Sequence, residues 1–328
     1  KLSHRETSRW EMEPSVTESG PQRRALLRRE SERIGRLRRT ASASDVFRES
    51  FQRALGGGLA GAAAMTLQVS TLMWMRTTVT YQYRYGSTMR EALRALWRQG
   101  GVRRFYSGFG PALLQAPLCR FGDTAANIGV TSLLNAHDST HALPTFVKTL
   151  ASASAATLWR VMLMPLDTLK AMMQVEGVHA LGILHGKLRA GGPAVLYHGA
   201  SGLVASAFFG HYCWYGTYNA VDSALPVPHG GLPQVFARNA AVGLAASAVA
   251  DSTTNSVRVL KTFRQTSPLP ITYVDAARTI LAADGVAGLL GRGLTTRLLS
   301  NGVQAALFSV VWKYLQGCMI GNTGAGRH

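Results

Sequence analysis

Ionisable residues recur inside stretches of this chain that are otherwise apolar: Arg76, Arg120, Arg160, Asp167, Lys170, Asp251, Arg258, Lys261 and Arg297. A charge at the centre of a bilayer costs roughly 2.5–3.5 kcal/mol even on the lenient insertion scale, so such residues imply a task. Their types suit the making and breaking of ion pairs, or the binding of a small polar or zwitterionic solute. They do not suit catalysis. His185, His198 and His211 share no helix face with a carboxylate or thiol at ligand spacing, and no Ser-His-Asp order stands out. Cys119, Cys213 and Cys318 lie far apart, so the sequence indicates no disulfide framework, metal centre or enzyme.

These residues sit on long apolar segments. Six are read at roughly 52 to 82, 109 to 135, 145 to 175, 200 to 222, 235 to 265 and 292 to 317. Each has the length of about 20 residues that crosses a bilayer as a helix. Of all 328 residues 47% are hydrophobic and 16% charged, well below the charge of a typical soluble domain. The stretch GGGLAG from Gly56 to Gly61 fits a dinucleotide fingerprint in letters only. No strand precedes it, and close helix packing by small residues explains it better.

The net charge of +18 is placed rather than spread. Part lies before residue 50, in Arg23, Arg24, Arg28, Arg29, Arg33, Arg36, Arg38 and Arg39. Part lies in connections: Arg84, Arg90, Arg94, Arg98, Arg103 and Arg104 follow the first segment, and Lys187 and Arg189 follow the third. Residues 128 to 147 and 219 to 234 carry no Lys or Arg. This alternation puts the odd-to-even loops on the matrix or cytoplasmic side and both termini on the other. A membrane explains the charge better than nucleic acid does, and lipid headgroups are the expected partner of the basic, aromatic stretch from Tyr81 to Phe105.

The segments repeat. MPLDTLKAMMQ, from Met164 to Gln174, aligns at a spacing of 91 residues with MWMRTTVTYQY and with NSVRVLKTFRQ. GGVRRFYSG ending at Gly108 and GGPAVLYHG ending at Gly199 keep the same spacing, and the third copy reaches LLGRG at Gly293 after a short insertion. Pro165, Asp167, Lys170 and Gln174, with the turns at Tyr106 to Gly108 and Tyr197 to Gly199, resemble the signature of the mitochondrial carrier family. The likeness spans about residues 50 to 318. It implies an all-α membrane protein of the mitochondrial inner membrane, with six transmembrane helices in three tandem two-helix repeats, pseudo-threefold symmetry and short matrix-side amphipathic helices. The divisions are a basic extension over 1–49 and repeats over 50–142, 143–233 and 234–328.

In that family the acid of each repeat pairs with the base of the next, forming a gate on the matrix side. Here the acid positions hold Arg76, Asp167 and Arg258, and the base positions Val79, Lys170 and Lys261. Only Asp167 with Lys261 makes the expected pair, while Arg76 faces Lys170 and Arg258 faces Val79. Gln174 and Gln265 hold the glutamine positions, and Pro165 is expected to bend the third segment. The opposite gate, read at Asn127-Ile128, Tyr218-Asn219 and Trp312-Lys313, has no acid.

The resemblance places solute contacts at Gln115, at Ser206 with Ala207, and at Ser300, all uncharged. Arg120, Arg160, His211, Asp251 and Arg297 lie about a turn away. Arg160 and Asp251 hold equivalent positions in repeats two and three, and either pair across the bundle or help to hold a small solute. No cofactor is expected beyond a bound anionic lipid such as cardiolipin. Leu26, Leu27, Ile34 and Leu37 mark one side of a short basic helix in the extension, which suits a membrane surface or another subunit. With most gate pairs missing, the sequence favours an accessory or structural subunit of a larger inner-membrane complex, against an active transporter of a small polar or zwitterionic metabolite.

Overall fold

The computed structural model describes residues 43–136, 140, 143–226 and 232–306. The basic extension up to residue 42, Trp312, Lys313 and Cys318 lie outside the described residues. Among these, regular structure is helical throughout: α1 (Ala43–Tyr85), α2 (Met89–Phe105), α3 (Phe109–Ala136), α4 (Thr145–Met162), α5 (Met164–Glu176), α6 (Ala180–Gly191), α7 (Ala200–Ala224), α8 (Leu232–Thr266), α9 (Tyr273–Gly291) and α10, described over 294–306.

The three odd helices of the repeats are α1, α4–α5 and α8; α3, α7 and α10 are their even partners. Neighbours in the chain pack side by side, α1 on α3, α3 on α4, α4 on α7 and α7 on α8, and α1, α5 and α8 touch one another. The middle odd helix is broken. Leu163, at φ −85° and ψ 4°, ends α4 and opens α5, where Pro165 fills a first-turn position that needs no N–H. The expected bend is thus a break between two helices. α8, with Ser256 at the corresponding place, runs through as one helix.

Short helices close one end. In α2 the Thr88 and Glu91 side chains cap each other's backbone N–H groups, and Thr272 and Asp275 do the same for α9. Val79, Tyr83, Val259, Phe263, Ala276 and Ile280 form a buried cluster that seats α9 against α8 and α1. Tyr81, Ala92, Leu96 and Phe105 seat α2 on α1. Gly108 (φ 81°) and Gly293 (φ 66°) turn the chain into α3 and α10 in the left-handed region, where a side chain would be strained. Gly199 opens α7 at φ −103°, outside that region, and there a Cβ would press on Gln265, at 2.8 Å.

No helix among the described residues is long and apolar enough to cross a membrane. The length is present, but Arg160, Asp167 and Lys170 on α4–α5, and Asp251, Arg258 and Lys261 on α8, dilute the apolar run.

Candidate functional site

The ring of helices encloses a cavity of about 740 Å³. Where α1, α5 and α8 meet, Asp167 closes it. Asp167 stands in the first turn of α5, where helix N–H groups favour an acid. Lys170, one turn on, places Nζ 2.8 Å from Oδ1, and Lys261 reaches Oδ2 at 2.7 Å from α8. Gln115 on α3 accepts from Lys170 at 2.9 Å, and Gln265 donates to Thr168 Oγ1 at 3.0 Å and to Asp167 Oδ2 at 3.4 Å. Gln174 accepts from Thr80 of α1 at 3.0 Å, and Tyr83 donates to Asn255 of α8 at 3.1 Å. One buried carboxylate therefore serves two cations, and uncharged hydrogen bonds join the remaining helix pairs.

The two arginines at acid positions do not face their expected partners. Arg76 turns back along α1 and donates to Gln68 Oε1 at 2.9 Å, and Arg258 turns back along α8 to Asp251 at 2.7 Å. Each moves about two helical turns away from the cations at the gate, as like charges in a weakly screening site require. Val79, the expected neighbour of Arg258, is buried in the apolar cluster under α9.

Arg160 and Asp251 do not pair with each other. Arg160 makes a two-pronged contact with Asp123 on the adjacent α3, its Nε at 2.7 Å from Oδ1. Asp251 accepts from Arg258 and Asn301, and Arg297 Nε lies 2.9 Å away, an ion pair without hydrogen-bond alignment. Adjacent helices offered nearer partners than the opposite side of the bundle. Asp123 escaped the sequence reading because nothing at its position repeats; its signal was a lone acid in an apolar helix.

Of the solute candidates, Gln115, Arg160, Ser206, His211, Arg297 and Ser300 line the cavity. Asp251 reaches it through its arginines. Arg120 is exposed and does not line the cavity, because Gln115 and Cys119 already take the inward face of α3 and the next residue turns about 100° away. Ser206 is engaged with Leu203 O at 3.0 Å and His211 with Ala207 O at 2.7 Å. At the opposite end Tyr218 stacks on Trp214, ring centroids 5.0 Å apart.

A second set of links binds the repeats and was not foreseen. Arg104 of α2 donates to Gln174 O and Val175 O, at 2.9 and 2.6 Å. Lys187 of α6 donates to Gln265 O at 2.8 Å, and Arg292, just past α9, to Arg84 O at 3.4 Å. Each cation thus caps the last carbonyls of the next repeat's odd helix, where the helix dipole is negative. All three are buried, at 6%, 2% and 7% exposure. Burial, with Arg84 and Arg264 nearby, pushes the Lys187 ammonium down from 10.5 to about 8.

The family model for mitochondrial carrier protein matches residues 48–134, 141–227 and 233–323, in three consecutive copies. No curated protein matches the chain.

Proposed function

The chain belongs to the mitochondrial carrier family, and from that premise we propose that it is a solute transporter of the mitochondrial inner membrane, working by alternating access. The observation that carries this reading is the charged cavity closed at one end by Asp167 with Lys170 and Lys261. A closure resting on two ion pairs and a few hydrogen bonds can be made and broken as a solute enters and leaves.

The distribution of polarity supports six spans even though mean hydropathy falls short. Leu158 and Met162 are 68% exposed on α4, and Leu114, Phe208, Tyr212 and Val249 are exposed on α3, α7 and α8. The charges of α4–α5 and α8 that lower the hydropathy line or border the cavity instead, with Arg120 on α3 the exposed exception. Apolar outside and charged inside is the arrangement expected of a helix ring in lipid.

The accessory-subunit reading rested on missing gate pairs and on the basic extension. The extension lies outside the described residues, and the gate retains a paired carboxylate, so no specific observation favours that reading. Reconstitution of the purified protein in liposomes loaded with candidate metabolites is the test, and counter-exchange is expected. Stable co-migration with a large complex from native membranes, with no exchange of any solute, would overturn the transporter.

A further inference from the structure

The cavity is unbalanced in charge. Arg76, Arg160, Lys170, Arg258, Lys261 and Arg297 line it. Against these six the described residues supply three carboxylates in contact: Asp123 on Arg160, Asp167 on both lysines, and Asp251 on Arg258 and Arg297. Two of the acids are each divided between two cations. Among the described residues Arg76 has only the neutral Gln68 and the Met65 sulfur as side-chain partners, and Arg297 lies within Coulombic reach of it. Among the described residues three positive charges are therefore uncompensated in a space walled by helices, where screening is weak.

Two of the cations, Arg76 and Arg258, stand where the repeat places an acid. We propose that the transported solute is a small polyvalent oxyanion, such as a dicarboxylate or a phosphate ester, which binds Arg76 and the Arg258–Arg297 pair and supplies the charge that two gate carboxylates would have held. This rests on the transporter reading. The planar guanidinium matches carboxylate and phosphate equally, so both classes share the required chemistry. Cations are rejected by the same uncompensated charge. The solute completes the set of ion pairs on one side of the bundle, as Asp167 completes it on the other.

Thermal melting of the detergent-solubilised full chain with succinate, inorganic phosphate, glycine or lysine reads binding without requiring transport. The dicarboxylate, the phosphate or both are expected to raise the melting temperature, and glycine and lysine to leave it unchanged. Arg76→Gln is expected to weaken the effective anion at least about tenfold, the size of losing one charge-assisted hydrogen bond. Arg120→Gln, which removes an equal charge outside the cavity, is expected to preserve the response. The two anions separate the phosphate from the carboxylate arm. An anion-dependent shift with no exchange in liposomes would sink the transporter reading and leave the anion site standing. Exchange or stabilisation by glycine or lysine but by neither anion, an equal response in Arg76→Gln, or no response to any probe would overturn the proposal.

Discussion

Asp167 is the residue on which the closed end depends. Asp167→Asn would leave the half-buried Lys170 and Lys261 without an anion. Removing one partner of a buried pair costs about 3–5 kcal/mol, against about 1 for a surface pair. A large fall in melting temperature together with loss of exchange is expected; an unchanged melt would show that the pairs carry no closing energy. Lys187 makes a pH-dependent prediction. Its folded pKa of about 8 lies below the ordinary 10.5, so folding penalises the charged form. That penalty is present in full below pH 8 and is relieved as pH rises toward 10.5. Melting temperatures of wild type and Lys187→Met, compared from pH 7 to 10, should therefore diverge in favour of wild type as pH rises. A constant difference across that range would refute the shifted amine.

At the scale of helices, the contact between α3 and α4 is set by a missing side chain. Trp159 of α4 lies over Gly122 and donates its indole N–H to Leu118 O at 2.8 Å. A Cβ on Gly122 would fall 1.9 Å from the ring. Gly122→Ala should cost about 1–3 kcal/mol as overpacking, seen as a lower melting temperature. Trp159→Phe in the same background is expected to recover part of it by freeing room. The break at Leu163 could be anticipated from Pro165, because proline's lost N–H acts through local chemistry. The contact at Gly122 could not, because it depends on which two helix faces meet.

For the whole molecule, the 91-residue repeat made the helix order legible in the sequence, and the family resemblance added the Asp167–Lys261 pair. Analogy between repeats misplaced Arg76 and Arg258, and of the two readings of Arg160 and Asp251 the mutual pair fell, since charges settle by proximity. It also missed the caps. Arg104 maps onto Val195 and Lys187 onto Leu96 in the repeat register, so no comparison of copies marks them. A quieter sign was present: Lys187 continues the buried stripe of Ala180 and Leu184, where a charge is out of place. Because the three caps run from repeat one to two, two to three and three to one, Arg104→Gln should loosen the whole ring. Faster backbone hydrogen exchange is expected at the ends of α1 and α8 as well as α5; a change confined to α5 would mean that the caps act singly.

These caps also differ from ion pairs in what mutation can reach. An ion pair has two genetic addresses, and either side chain can be lost. Each cap has one, because its acceptor is a main-chain carbonyl that every amino acid supplies. A substitution at a receiving position therefore leaves the cap's acceptor in place, so the cap makes no demand on the Val175 side chain; Gln174 and Gln265 still carry side-chain bonds of the gate, and Arg292 is also held by Asp284 at 2.7 Å.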